Sequence, residues 1–283
     1  MVAYRDGRPS EKLRRLQAAQ QNLAVRLVDY CHARELQPFL VAGSALGAWR
    51  DKGMIAWDDD IDIGLLRDDY DKLAAALARE PLEGVTLQNW YTAPGYPFAF
   101  AKLRIDGTRV VEKTALGPGF HQGIFIDIFP FDPLPRAAPW RWLQYAVLLV
   151  CNLFILSFSR EAALNATRPL FRGLRLAALT VRPLVPLKVL IAISEWAYRL
   201  PMAAKSESCV SFHMYGIRFW RSTRIARSAL VPPVDVPFGD AHLPVPAECD
   251  VYLTGIFGDY RCPPPESAQR PGHISDVDFG EAA

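Results

Sequence analysis

Cysteine is scarce in this chain, five residues in 283, and nowhere paired in a CxxC spacing. Cys31, Cys151, Cys209, Cys249 and Cys262 are widely separated, which argues against a disulfide framework and a structural zinc site. No charge of one sign dominates: 32 basic residues against 30 acidic ones leave a net charge of +2, so no global field points to nucleic acid. The chain also lacks internal repeats and low-complexity tracts. The opening stretch is charged and has no apolar core, so no secretory signal is expected and the catalytic part is placed in the cytoplasm. What remains is a hydrophobic fraction of 51 %, ample for a packed interior.

Against that even background one stretch stands out, Gly43 to Leu66, in which Asp58, Asp59, Asp60 and Asp62 fall within five positions. Like charges about 4 Å apart repel by roughly 4 kcal/mol at an effective dielectric near 20. A fold holds such a cluster only with compensation, and a metal ion is the natural one. The segment Asp60 to Leu66 alternates aspartate with isoleucine, the period of a strand, so Asp60 and Asp62 share a face. Asp127 lies between Ile126 and Ile128 in an apolar run where a carboxylate is costly unless paired or metal-bound. Capping or surface solvation is the plainer alternative for the three.

The surrounding pattern is mixed. Ser10 to Gln37 carries Leu13, Leu16, Leu23, Leu27 and Tyr30 at helical spacing, closed by Pro38. Pro38 to Gly43 suits a short buried strand, with a helix opening on Gly43-Ser44; that turn offers backbone N–H groups and a hydroxyl to a phosphate, or simply a helix cap. Asp68 or Asp69 is expected to cap the helix that follows the alternating segment. Further strands are expected over Val85 to Trp90, Phe98 to Ile105, Arg109 to Glu112 and Ile124 to Phe129. The fold class expected is α+β, a mixed sheet flanked by helices. Lys102 and Arg104 fall on one strand face and suit a phosphate clamp or an ordinary solvated face, and Arg50 could fill the clamp role too. His273 suits a structural role as well as substrate contact, and Trp57 either core packing or stacking on a base. Asp58, Asp60, Asp62 and Asp69 also match positions 1, 3, 5 and 12 of a calcium loop, but Ile63 occupies the glycine position, which favours the strand.

Between Arg141 and Arg160 lie eighteen residues without formal charge, near the threshold length for a membrane helix. Gln144 and Asn152 weaken a span, and a single crossing would separate Val245 to Pro265 from the aspartates. Arg160, Arg168, Arg172, Arg175, Arg182 and Lys188 follow, opposed only by Glu161. A helical insertion lying on an anionic surface is expected; a soluble helical subdomain and a true span are the alternatives. Three regions result: a catalytic core over 1–135, an apolar and basic helical insertion over 136–230, and a C-terminal segment over 231–283 packing back on the core.

The motifs GSALGAWRDKGMIAWDDDIDIGL, FAKLRIDGT, HQGIFIDIFPFD and VPAECDVYLTGIFGDYRCPPP, followed by His273, come in an order that resembles the LicD family with its fukutin-related members, within the nucleotidyltransferase-fold superfamily. The resemblance implies transfer of a substituted phosphate, phosphocholine or a polyol phosphate, from a CDP-activated alcohol to a glycan or lipid-linked glycan hydroxyl, with CMP leaving. It implies Mg²⁺ or Mn²⁺ held by Asp60, Asp62 and Asp127, with Gly43 and Ser44 at the donor diphosphate. It implies work at the cytoplasmic face of a membrane, with a peripheral contact. Nucleotidyl transfer that releases pyrophosphate, and a non-catalytic metal- or nucleotide-binding protein, are the competing readings.

Overall fold

A computed structural model describes residues 1–5, 7–113, 119–157, 173, 185–200, 206–211 and 224–280. The chain opens with a small hairpin, β1 (Tyr4–Arg5) and β2 (Arg8–Pro9), and then a long helix, α1 (Glu11–His32). The Ser10 side chain caps α1 by accepting from the Leu13 N–H at 3.2 Å, and Leu13, Leu16, Leu23, Leu27 and Cys31 form the buried stripe. The helix ends five residues before the expected stop at Gln37. The Leu36 N–H folds back to the Cys31 carbonyl (3.0 Å) and Glu35 takes a left-handed conformation, so local turn chemistry ends the helix before Pro38 can.

The central sheet holds β3 (Phe39–Leu40), β4 (Asp62–Leu66), β5 (Val85–Gln88), β6 (Ala101–Ile105), β8 (Phe125–Pro133), β9 (Ser208–Val210) and β10 (Ile225–Ala226). Between them run α2 (Ala42–Leu46), a π-helical turn over Gly47–Asp51, α3 (Arg67–Arg79) and β7 (Arg109–Glu112). β4 and β8 are parallel, while β3, β6 and β9 pair antiparallel with them, so the sheet is mixed and the fold is α+β. No side chain caps α3; Asp68 and Asp69 sit in its first turn, and Asp69 instead accepts from the Gln37 N–H at 3.2 Å.

β8 runs nine residues, through Pro130 to Pro133, where a strand ending at Phe129 is expected. The Asp127 N–H bonds the Ile61 carbonyl at 2.9 Å, so alternation turns the Pro130 nitrogen toward the opposite edge. There β6 has ended opposite Ile128 and β9 begins only opposite Asp132. Proline's missing donor faces a gap between two partners, where no ladder bond is lost.

One face of the sheet, bearing Ile61, Ile63, Ile126, Ile128 and Leu103, belongs to the same core as Leu23, Leu27 and Val28 of α1. After β8 come α4 (Ala138–Ser157) and α5 (Leu187–Tyr198), which pack Leu148, Cys151 and Ile155 with Leu190 and Ala197 and with Trp90 and Tyr96. Gln144, polar within the apolar run, is fully buried and donates to Ala197 O at 3.0 Å. Among the described residues no helix is long and apolar enough to cross a membrane. The cations from Arg160 to Arg182 lie outside the described residues.

The remaining chain forms α6 (Arg227–Leu230), the hairpin β11 (Val234–Phe238) and β12 (Ala241–Val245), α7 (Cys249–Phe257) and β13 (Ile274–Asp278). β12 packs against β3, α7 against α2, and β13 pairs with β7, so the C-terminal segment returns to the first part of the chain.

Candidate functional site

Three strands bring their charges into one row. Asp62 on β4 stands opposite Asp127 on β8, and Asp127 stands opposite Lys102 on β6, so all three side chains leave the same sheet face at the same level. Asp60 lies just before β4 rather than inside it. Oxygen atoms of Asp60, Asp62 and Asp127 come within 4.8 Å of one another. Lys102 Nζ donates to both Asp127 oxygens, at 2.8 and 3.1 Å, and lies 3.7 Å from Glu112. The row sits at a sheet level where strand alternation leaves only the carboxylates and their lysine facing outward, with isoleucines filling the other side.

Beside the row, Ser44 Oγ accepts from the Asp62 N–H at 2.9 Å. Gly43 is required by crowding: a Cβ there would stand 2.8 Å from Asp58 Oδ2. The first turn of α2 is therefore drawn close to the acidic loop. Arg50, in the π-helical turn, pairs with Asp51 at 2.7 Å and donates to Tyr260 O at 3.2 Å. Arg104 is on the same face as Lys102 but is fully buried, bonding Gln88 (2.7 Å), Gly123 O (2.9 Å) and Glu112 (2.7 Å). It braces Glu112, which in turn faces Lys102.

The acidic loop divides by parity. Asp59 is fully buried; a carboxylate oxygen of it comes within 4.8 Å of Asp60 and His273, and the carboxylate accepts from the backbone N–H groups of Gly272 (3.0 Å), His273 (2.9 and 3.2 Å) and Ile274 (2.5 Å). That clasp fixes the start of β13 and leaves His273 Nε2 3.4 Å from Asp60 Oδ2. Asp58 is half-buried against Gly43. Gln17 on α1 donates to Asp58 O at 2.8 Å, and Gln20, fully buried, donates to Asp59 O at 2.9 Å. These glutamines, Glu112 and the Asp59 clasp carry no motif of their own; the polar face Gln17, Gln20, Gln21 in an otherwise apolar helix is the sequence signal of such a role. Trp57 packs edge-on against Tyr4 at 5.7 Å. The Asp58 to Asp69 stretch forms strand and helix, not a calcium loop. All five cysteines are free.

Electrostatics explain what the site lacks without a cation. Burial first, then Asp60 and Asp59, push the Asp58 carboxyl well above the ordinary carboxylate range. Burial and then Asp60, Asp127 and Asp58 do the same to Asp62. Asp60 is raised as well, chiefly by burial, with His273 the strongest opposing influence. Asp127 is pushed up to about 6, because burial outweighs the pull of Lys102. One lysine does not offset the burial and mutual repulsion of these three carboxylates. An all-oxygen, triply acidic donor set with mutually close atoms suits a hard divalent cation such as Mg²⁺ or Mn²⁺, so the residues fit a metal ion.

Comparison with known proteins agrees with this geometry. Residues 35–146, which hold the whole row, match the family described as LicD/FKTN/FKRP, nucleotidyltransferase domain. The lipopolysaccharide cholinephosphotransferase LicD of Haemophilus influenzae is 24 % identical over 265 residues, covering 91 % of this chain and 96 % of that protein.

Proposed function

We propose that the chain, whose residues 35–146 match the LicD/FKTN/FKRP nucleotidyltransferase domain, acts as a LicD-type enzyme and transfers a substituted phosphate, of the phosphocholine or polyol-phosphate type, from a CDP-activated alcohol to a glycan hydroxyl, releasing CMP. The observation that carries this reading is the row of Asp62, Asp127 and Lys102 on three adjacent strands, joined from the preceding loop by Asp60. The relative's named activity, choline phosphate transfer to lipopolysaccharide, supports the choice of donor and acceptor class.

Asp60, Asp62 and Asp127 would hold Mg²⁺ or Mn²⁺; when bound, the ion neutralises charge on the donor diphosphate and on the leaving group. Gly43 and Ser44 bind the diphosphate end, Gly43 because its bare Cα permits close approach and Ser44 through its hydroxyl. Ser44 also ties α2 to Asp62, so donor contact and carboxylate position are fixed together. Lys102 orients Asp127 and supplies the fixed positive charge of the row. Asp127, at the centre of that row, takes the proton of the attacking hydroxyl. Arg104 acts through Glu112, holding it against Lys102, and Arg50 is the guanidinium nearest the α2 end of the site in sequence.

Peripheral association with a membrane, at its cytoplasmic face, is part of this reading. Trp140, Leu143 and Val150 of α4 and Val189, Ile193 and Trp196 of α5 are exposed, the composition of a face that lies in a lipid interface. Regions 1–135, 136–230 and 231–283 serve as catalytic core, membrane-facing insertion and returning segment.

Asp62→Ala tests the chemistry. With folding intact, CMP release from CDP-choline in Mg²⁺ is expected to fall on the order of a thousandfold, since several kcal/mol of charge stabilisation leave with the carboxylate. Turnover within a few fold of wild type overturns the mechanism, and pyrophosphate in place of CMP among the products overturns it in favour of nucleotidyl transfer.

A further inference from the structure

A cavity of about 470 Å³ opens where α3, the β5–β6 connection and α5 meet. None of its residues belongs to the carboxylate row. Trp90, Tyr91, Phe98 and Phe100 wall it, alanines of α3 line one side, and Arg67, Asp71, Glu195 and Arg199 close the far end. Those four charges cancel within the lining: Arg199 pairs with Asp71 at 2.8 Å and with Glu195, and Arg67 lies 3.6 Å from Asp71. A lining with no net charge gives a phosphate no counter-charge; aromatic walls can face a quaternary ammonium, but such a group presents no acceptor to the buried donors of this wall.

Two buried groups in its wall have an unmet need. Among the described residues Arg67 Nη2 and Trp90 Nε1 have no hydrogen-bond partner, although Arg67 is only 5 % exposed and Trp90 8 %. Both are donors only, so what satisfies them must present acceptor oxygens or nitrogens. Tyr91, 71 % exposed at the rim, offers a flat ring to solvent. Hydroxyl oxygens for the donors and an apolar ring face for the aromatics describe a neutral sugar.

The cavity also lies on the appropriate side. Phe100 lines it, packs on Phe129 at 4.6 Å, and stands 5.8 Å from Lys102 Nζ. It stands just before β6, two residues from Lys102, or about 7 Å at the rise of a strand. Gly43 and Ser44 flank the row from the β3 side; Phe100 flanks it from the β6 side. Phosphoryl transfer places attacking and leaving oxygens in line, on opposite sides of the phosphorus.

We propose that this cavity is the acceptor subsite and takes a neutral hexose ring of the glycan, set by its aromatic walls and by the unpartnered donors of Arg67 and Trp90. The assignment of its side rests on the phosphotransfer reading above; the assignment of its ligand class does not. Two variants test it in the full-length protein. Ala74→Phe fills the cavity from α3, and Tyr91→Ala removes the exposed rim ring, where no loss of folding is expected. Saturation-transfer NMR with methyl hexopyranosides, and separately with CMP and choline chloride, reads binding without turnover. The expected result is saturation transfer to hexosides that Ala74→Phe abolishes. In turnover, both variants should raise the half-saturating hexoside concentration by at least about tenfold, while that of CDP-choline moves less than about twofold. Half-saturation for hexoside unchanged in both variants overturns the proposal, as does a signal from CMP or choline that Ala74→Phe removes. Hexoside binding lost in Ala74→Phe, in a protein whose Asp62→Ala variant still releases CMP at the wild-type rate, supports the sugar site and overturns only the phosphotransfer reading.

Discussion

Replacing Asp59 by asparagine changes no shape and should nevertheless loosen the C-terminal segment from the site. The Asp59 carboxylate receives three backbone N–H groups, from Gly272, His273 and Ile274, in a place with no exposure to water. Asparagine keeps one acceptor oxygen and turns an NH₂ group toward at least one of those donors. A buried N–H left unmet costs about 1–3 kcal/mol, and each surviving bond loses its charge assistance, roughly another 1 kcal/mol in all. A loss of about 3 kcal/mol follows, which for a chain of this size lowers Tm by about 6 °C. The effect should be local before it is global. β13 is held to β7 by a ladder with an irregular step between Ile274 and Asp276, so its first residue depends on the clasp, while Lys12 holds Asp276 further along. Amide hydrogen exchange over residues 272–278 should therefore accelerate well below Tm. Turnover should fall too, because His273 reaches Asp60 only from this anchored tail. Asp58→Asn is the control, since Asp58 makes no bond to the tail. A Tm within 1 °C of wild type together with unchanged amide exchange over residues 272–278 would refute the clasp.

Arg67 and Asp132 form a buried pair at 2.6 Å, 5 % and 1 % exposed at their side chains, so Arg67→Met strands a carboxylate and should cost about 3–5 kcal/mol. The double variant Arg67→Met, Asp132→Leu should recover much of that loss in urea denaturation; a double variant as unstable as the single one sinks the argument. For the metal-free protein, stability should fall as pH rises from about 4 through about 6. Asp127 binds its proton more tightly folded than unfolded, so the native state holds more protons in that window and the slope is negative. Asp58 and Asp62, raised by the same burial and by neighbouring carboxylates, contribute with the same sign. Millimolar Mg²⁺ should therefore raise Tm more at pH 7.5 than at pH 5, and differential scanning fluorimetry showing an equal or opposite shift would contradict the assignment of the site.

Much of the site was legible because period-2 alternation is a strong signal. Asp62 among isoleucines and Asp127 between Ile126 and Ile128 each declare a carboxylate on one face of a strand. That these strands are adjacent, parallel and in register at the two aspartates is a tertiary fact, and sequence spacing alone does not contain it. Arg104 shows the limit more sharply. Its i,i+2 relation to Lys102 places both on one face, yet Gln88, Gly123 and Glu112 enclose it from three other elements. Pro130 and Gln144 misdirect for the same reason. A proline ends a strand only if its missing donor is needed, and a glutamine weakens an apolar helix only if it has no partner; both depend on neighbours far along the chain. The cavity beside Phe100 left no pattern at all, because its walls come from α3, the β5–β6 connection and α5.

The aspartate cluster is tolerable because its four charges are turned in different directions. Alternation sends Asp58, Asp60 and Asp62 one way and Asp59 the other. Asp59 is answered by three N–H dipoles from the tail, and Asp58 is held beside the bare Cα of Gly43. Only Asp60 and Asp62 are left facing Asp127, and Lys102 offsets a single charge there. A protein selected for stability alone would have replaced one of these residues with a neutral one, since burying an unmet carboxylate costs several kcal/mol. The cluster therefore makes physical sense only with a further positive charge on its open side, and the tail that Asp59 holds belongs to the same arrangement. Without residues 272–274, Asp59 would be a buried carboxylate stripped of the three N–H groups that answer its charge.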